Sequence, residues 1–144
     1  MPADRDTDEQ AAIRRILEET RSIAVVGASI KPQRPSFFVS DYMRRQGYRI
    51  LPVNPGYAGR TLHGEEVRPD LADLPLVPDL VAIFRRSEFA GGVADDAVAL
   101  GVRRVWMQVG IRDEAAAARA RAAGALVVMG RCLMVEHARL GRGS

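Results

Sequence analysis

Five short apolar runs recur along the chain, with longer stretches of helical periodicity between them. The runs predict strands, because they are rich in β-branched residues and too short for typical helices; they span 23–26, 48–53, 79–84, 104–107 and 126–129. Apolar residues at helical spacing predict helices over 37–45, 87–100 and 113–123. Each of these helical segments is followed by a glycine, at Gly47, Gly101 and Gly124, where helices commonly end. Strand and helix therefore alternate through most of the chain.

This alternation, with short turns and continuously apolar strands, is typical of a parallel sheet covered by helices on both faces. Right-handed crossovers then give a doubly wound, Rossmann-like α/β fold of about five strands, mostly parallel. The 144 residues suffice for one domain with a proper core. Within it we expect residues 1–21 to form an N-terminal covering helix, capped at Asp6 or Thr7, and residues 22–140 to form the main domain. A last helix is predicted near 134–140, followed by a frayed end.

Several side-chain orientations follow from the helical spacing. We expect the larger apolar residues of two helices to face the core, namely Phe38, Tyr42, Phe89, Val93, Ala97 and Leu100. Ser36, Ser87 and Asp113 are expected to cap the helices that follow them. Trp106 is expected to anchor the core from the fourth predicted strand.

Charge and cysteine content restrict the function classes. The net charge of +3 rests mainly on arginine with acids interspersed, so it favours an anionic ligand slightly and gives little support for nucleic-acid binding. The single cysteine, Cys132, excludes an intrachain disulfide and suits a reducing compartment. Neither a signal peptide nor an apolar run of roughly 20 residues is present in the sequence. We therefore predict a cytoplasmic protein with no membrane partner.

The loop after the first predicted strand combines features that attract anions. It holds small residues where the chain must turn, two cations and a predicted helix start, provided by Gly27, Ala28, Ser29, Lys31, Arg34 and Ser36. A helix N-terminus offers free N–H groups and a partial positive charge, which stabilise bound phosphate. The segment therefore predicts a cradle for the phosphates of a nucleotide.

In a sheet of this kind, ligands bind beyond the carboxyl ends of the strands. Besides the cradle, the sequence places there Val53, Asn54, Pro55, Phe84, Arg85, Gln108, Gly110, Arg131 and Cys132. This set contains no carboxylate pair, no Ser-His-Asp combination and no metal-ligand spacing. We therefore expect a binding site with no catalytic residues and no metal, in a protein that is not an enzyme.

The cradle departs from the fingerprint of dinucleotide-binding proteins, Gly-x-Gly-x-x-Gly with an acid after the second strand. Only Gly27 matches, because Ser29 and Pro32 occupy the later glycine positions and Asn54 stands where the acid would follow. An NAD(P)-binding oxidoreductase remains an alternative, since Arg34 could accept a 2′-phosphate. A redox-sensing module and a regulatory interaction module with a vestigial nucleotide site also remain open.

Short motifs along the chain resemble a known family. They are Val25-Val26-Gly27-Ala28-Ser29 with Lys31-Pro32, Pro52-Val53-Asn54-Pro55, Phe84-Arg85, Trp106-Met107-Gln108-Val109-Gly110-Ile111 and Arg131-Cys132. Over about Ser22 to Leu140, the chain resembles the small stand-alone CoA-binding proteins, whose fold is that of the CoA-binding domain in the succinyl-CoA synthetase α subunit.

The resemblance implies coenzyme A as the cofactor. It implies phosphate contacts near Lys31, Arg34 and Ser36, with Val53-Asn54-Pro55 and Phe84-Arg85 flanking the adenine and ribose, and it adds Gln108 and Gly110 to the site. CoA or an acyl-CoA is then the ligand, and a second copy or an acyl-CoA-handling protein is a further partner to consider.

Four residues limit how much of the family's chemistry the resemblance implies for this chain. The chain has Gly130 where the family carries an acid before Arg131-Cys132. The synthetase's phosphohistidine belongs to a further domain, and neither His63 nor His137 has a matching context, so ligase activity is not implied. We expect His63 to be a solvated loop residue and His137 to pack or face solvent. Cys132 is expected to be inert, with a reactive thiol beside the CoA sulfur as the alternative.

Overall fold

Helices and strands alternate in the computed structural model, which describes residues 2–143. The helices are α1 (Pro2–Glu19), α2 (Pro35–Arg45), α3 (Ser87–Ala99), α4 (Glu114–Ala122) and α5 (Leu133–Gly143). The strands are β1 (Ser22–Val26), β2 (Arg49–Val53), β3 (Thr61–Leu62), β4 (Glu65–Glu66), β5 (Leu80–Ile83), β6 (Arg104–Met107) and β7 (Leu126–Val128). Short 3-10 turns lie at Pro55–Tyr57 and Leu71–Asp73.

Five of these strands form one sheet in the order β2-β1-β5-β6-β7, and all its pairings are parallel. The chain runs from β1 to β2 on one side of the sheet and then crosses to β5 on the other side of β1. A crevice therefore opens between the carboxyl ends of β1 and β5. The predicted Rossmann-like α/β fold is confirmed.

The two faces of the sheet bury separate apolar clusters. Side chains of α1, α2 and α5 pack on one face, around the fully buried Trp106, Ile23 and Leu80. The opposite face is covered by α3 and α4, whose small buried residues Ala94 and Ala116 let these helices lie close to the strands. Continuous burial along β1 and β5 matches a sheet covered on both sides.

One segment expected to be a loop contains a small hairpin. Strands β3 and β4 pair in antiparallel fashion, with Leu62 opposite Glu65. His63 and Gly64 connect them with φ values of 53° and 81°, as in the two-residue turns that suit the twist of a hairpin. The sequence prediction missed the hairpin because strands of two residues leave no recognisable alternation.

The helix starts differ from the predicted caps in three places. Helix α1 begins at Pro2, so neither Asp6 nor Thr7 caps it. Arg34 and Arg86 are the N-cap residues of α2 and α3, and neither caps through its side chain. At α4 the prediction is confirmed, since Asp113 accepts a hydrogen bond from the Ala116 N–H at 2.9 Å.

Two serines that were predicted to cap α2 and α3 lie inside these helices instead. Ser36 is a buried residue of the first turn of α2, behind a proline. The Ser87 hydroxyl instead accepts a hydrogen bond from the Arg112 N–H at 3.0 Å. At the other end of the chain, α5 continues to Gly143, so the predicted frayed end from Gly141 is wrong for the described residues; Met1 and Ser144 lie outside them.

Three side chains predicted to face the core are exposed. Phe38, Phe89 and Leu100 lie on the outer parts of α2 and α3. Ala97 is buried as predicted, and Val39 and Met43, which share the apolar spacing of α2, are buried as well. The helices turn these residues rather than the aromatic rings of Phe38 and Phe89 toward the sheet, because close packing leaves little room for the rings.

A chain of charges fastens α1 to the carboxyl end of β7. The Arg131 guanidinium donates hydrogen bonds to both carboxylate oxygens of Glu9, at 2.9 and 3.2 Å. It also lies 3.5 Å from the carboxylate of Glu136, which is almost fully buried and is paired with Arg139 as well.

Within residues 2–143, no helix is both long and apolar enough to cross a membrane.

Both histidines are packed against neighbours. His63, predicted to be solvated, has a side chain only 4% exposed, with Nε2 2.9 Å from Ser40 Oγ and Nδ1 3.7 Å from an Asp41 carboxylate oxygen. Its ring lies 5.1 Å from that of Phe37. His137 packs as predicted, with Nδ1 2.9 Å from the Tyr42 hydroxyl.

Acid should destabilise the fold through these two imidazoles. Burial lowers the pKa of His63 and of His137 below the ordinary value of 6.5, and for His63 the nearby Asp41 opposes this only in part. The unfolded chain then binds these protons more readily, so the free energy of unfolding should fall as pH decreases below about 6.5. Urea unfolding at about pH 7.5 and pH 5.5 measures the slope. The His63→Gln/His137→Gln double variant should flatten it, and an unchanged slope would contradict the assignment.

Candidate functional site

Two cavities open at the carboxyl ends of the strands, and both are lined by Gly27. One, the α3 chamber, has a volume of ≈ 600 Å³ and is bordered by α3, Val53, Pro55 and the segment 69–72. The other, the α2 chamber, has a volume of ≈ 380 Å³ and is bordered by the loop 27–36 and the ends of β5 and β6. They meet at Gly27, and the two chambers together are hereafter called the groove.

Gly27 sits where the two chambers meet. Its φ of +91° favours glycine, and a Cβ there would lie 3.2 Å from the Phe84 carbonyl carbon and 3.3 Å from Arg85 Cδ. The segments after β1 and β5 therefore approach as closely as a missing side chain permits.

The end of β2 holds the glycine loop in place. The Val53 carbonyl accepts hydrogen bonds from the N–H groups of Gly27 and Ala28, at 3.0 and 3.2 Å. Asn54 donates from Nδ2 to the Ala28 carbonyl at 2.8 Å, while its Oδ1 accepts from the Gly56 N–H at 2.8 Å. The Asn54 amide, which lines the α2 chamber, thus also fixes the loop.

Two cations line the α2 chamber. Lys31 and Arg34 are exposed, and neither forms an ion pair with any carboxylate among the residues whose side chains are described. The turn that carries them is ordered by Ser29, whose Oγ accepts a hydrogen bond from the Lys31 N–H at 3.0 Å. Helix α2 begins with Pro35, which has no N–H, so the positive potential here depends more on these side chains than the sequence suggested.

Buried polar side chains complete the α2 chamber. Ser29, Ser36 and Gln108 line it and are only 8%, 5% and 6% exposed. The Gln108 Oε1 accepts a hydrogen bond from the Leu133 N–H at 3.4 Å, which leaves its NH₂ group as a donor. None of the residues bordering this chamber carries a carboxylate. A donor-rich, acid-free cavity of this kind suits anionic oxygens.

The α3 chamber differs in character. Its walls include the apolar side chains of Leu71, Val93 and Leu100 and the exposed ring of Phe89. The Arg85 guanidinium carbon lies 4.7 Å from the centre of the Phe89 ring. An apolar cavity with an aromatic ring and a few polar groups suits a flat organic group.

The predicted cofactor-binding residues gather in the two chambers except for Gly110, and the strand-end residues Arg131 and Cys132 border neither chamber. Cys132 is half-buried and packs against the core cluster beside α5. Trp106 is confirmed as a core residue, and its Nε1 donates to the Arg131 carbonyl at 2.7 Å. Among the described residues, no group of three His, Cys, Asp or Glu could hold a metal ion.

Other residues of the groove were not foreseen. Ile111 borders the α2 chamber beside Gln108 although it was expected only as part of a family motif, whereas Val109, which also borders this chamber, lies in the predicted segment at the end of the fourth strand. Asp70 borders the α3 chamber because the segment after β4 pairs with the end of β2, where the Asn54 N–H donates to the Arg68 carbonyl at 2.9 Å. No local pattern in the sequence indicates that pairing.

The fold is that of a Rossmann-like α/β protein, with a candidate ligand site at the crevice between β1 and β5. A model of the CoA binding domain matches residues 21–138. The chain belongs to this CoA-binding domain family, and the resemblance predicted from the motifs is confirmed.

Three known proteins illustrate the relationship. The chain is similar to YneT, an uncharacterised protein of Bacillus subtilis, with 36% identity over 129 residues, which cover 90% of this chain and 94% of that protein. A Thermus thermophilus structure superposes with a TM-score of 0.86 at 41% identity, covering 91% of this chain and 98% of that one. An acetyl-coenzyme A synthetase of Ca. Korarchaeum cryptofilum superposes with a TM-score of 0.63 at 27% identity. That match covers 74% of this chain and 25% of the synthetase.

Proposed function

We propose that this protein binds coenzyme A or an acyl-CoA in the groove formed by the two chambers, without catalysing a reaction of its own. The observation that carries the proposal is the separation of chemistry across Gly27. On one side lie the unpaired Lys31 and Arg34 with buried donors, and on the other lies a larger chamber walled by apolar side chains. Family membership supports the same ligand.

The shape of CoA fits this division. Its adenine and ribose occupy the α3 chamber, between Val53 and Pro55 on one side and Arg85 on the other. Asn54 and Phe84 border the α2 chamber, beside the diphosphate. Its diphosphate rests against Lys31 and Arg34. The pantetheine arm continues past Gln108, whose NH₂ group can donate to an amide or thioester carbonyl.

The groove fits a dinucleotide less well than it fits CoA. The position after β2 is Asn54, whose amide is engaged with the Ala28 carbonyl and the Gly56 N–H, so no carboxylate receives a ribose hydroxyl there. We therefore propose that the protein holds or senses CoA in the cytoplasm, with a second copy or an acyl-CoA-handling protein as its partner.

Calorimetry and chemical labelling test the proposal, and labelling is specific because Lys31 is the only lysine in the sequence. Calorimetry should show CoA binding that weakens as salt rises, since exposed cations are screened. Lys31→Gln and Arg34→Gln should each weaken CoA binding by about tenfold, the range of a lost charge-assisted hydrogen bond. CoA should also protect Lys31 from an amine-reactive reagent, as measured by mass spectrometry.

Arg103→Gln is the matched control, because Arg103 is exposed at the opposite, amino end of β6. It should leave CoA affinity unchanged. The proposal would be overturned by a wild-type protein that ignores CoA but binds NAD(H) tightly, or by unimpeded labelling of Lys31 at saturating CoA.

A further inference from the structure

Arg85 is a half-buried cation with no counter-ion. It lines the α3 chamber, and its guanidinium is held over the Phe89 ring at 4.7 Å. It forms no ion pair with any of the described side chains, whereas its exposed neighbour Arg86 is paired with Glu88 at 3.3 Å. The contact with the Phe89 ring offsets part of the hydration that the guanidinium loses, and a bound anion would offset the rest. Arg85 is therefore positioned for an anionic group of a ligand in that chamber.

The cations of the groove are divided between its two chambers. Lys31 and Arg34 line the α2 chamber, and Arg85 lines the α3 chamber, with Gly27 between them. A ligand that satisfies all three carries anionic groups on both sides of the passage over Gly27. A nucleotide with a diphosphate on one side and a further phosphate on its nucleoside meets this requirement.

We infer that Arg85 binds the 3′-phosphate of coenzyme A and makes the groove selective for 3′-phosphorylated nucleotides. This inference rests on the proposed function, in which the nucleoside half of CoA occupies the α3 chamber. It assigns Lys31 to the diphosphate, because Lys31 borders only the α2 chamber.

Two acids strengthen the selectivity. Asp70 and Asp96 also line the α3 chamber, and their carboxylates are acceptors suited to the adenine amino group. They repel a phosphate that Arg85 does not neutralise. Without the guanidinium, the chamber should therefore reject the 3′-phosphate rather than merely tolerate it.

Calorimetric titration of CoA and of dephospho-CoA, which lacks the 3′-phosphate, tests this inference. The wild-type protein should prefer CoA by about 10- to 100-fold, the range of a charge-assisted hydrogen bond. Arg85→Gln should weaken CoA and leave dephospho-CoA nearly unchanged, so the preference disappears or reverses. Arg85→Lys keeps the charge and should retain part of the preference.

Two other variants separate the roles. Lys31→Gln should weaken both ligands equally, and Arg86→Gln should change neither. If wild-type protein binds CoA and dephospho-CoA equally, or if Arg85→Gln weakens both alike, the inference fails while the proposed function stands. If neither ligand binds the folded wild-type protein, the proposed function itself fails.

Discussion

Replacing Gly27 by alanine is expected to weaken CoA binding by about 100-fold, roughly 2.7 kcal/mol, while the protein still folds. The new methyl group would lie 3.2 Å from the Phe84 carbonyl carbon, so the segments after β1 and β5 must move apart. Because Gly27 lines both chambers, this movement disturbs the passage that joins them. Calorimetry with CoA, together with circular dichroism to establish folding, measures the effect.

Gly59→Ala is the matched control for backbone strain. Gly59 has a φ of +88°, close to that of Gly27, but a Cβ there meets nothing within 4 Å. It should cost about 1–2 kcal/mol of stability, as a left-handed residue does, and leave CoA affinity intact. If the two alanine variants lose affinity equally, or neither does, crowding at Gly27 is not what shapes the groove.

Replacing Trp106 by alanine is expected to destabilise the fold by about 3–5 kcal/mol and to lower the melting temperature by roughly 10 °C or more. Trp106 is 0% exposed, and its removal leaves a cavity between β6 and the helices on that face. It also removes the partner of the Arg131 carbonyl, which Nε1 binds at 2.7 Å. Chemical denaturation with urea measures the free-energy change.

Trp106→Phe separates packing from hydrogen bonding. It keeps most of the apolar contact and loses the Nε1 donor, so the expected loss is smaller, about 1–3 kcal/mol. If phenylalanine destabilised the protein as much as alanine does, the hydrogen bond to Arg131 rather than the filled core would be the main contribution.

The strand and helix order was predictable because each element carries its own signal. The runs around β1, β5 and β6 are apolar on both faces, and glycines with positive φ end α2, α3 and α4 at Gly47, Gly101 and Gly124. Bounds agree within one or two residues for most elements. Helix starts were less predictable, because Ser36 and Ser87 are capping residues by type but lie one or two positions inside their helices.

The groove was predictable only in part. Residues directly after a parallel strand must lie at the carboxyl edge of the sheet, which is why Lys31, Arg34 and Arg85 were expected there. Their division between two chambers depends on the face of the sheet toward which each loop turns. The sequence does not reveal that direction. The burial of His63 likewise depends on how a hairpin packs on α2, through Ser40 and Phe37.

The double hydrogen bonding of Asn54 has an evolutionary consequence. An aspartate at this position would add the acid that ribose recognition uses in dinucleotide enzymes, and it could still accept from the Gly56 N–H. It could not donate to the Ala28 carbonyl, and two oxygens 2.8 Å apart would repel each other. A single change of the residue after the second strand would therefore add the acid at the cost of this hydrogen bond, and the end of β2 would then hold the glycine loop only through the Val53 carbonyl.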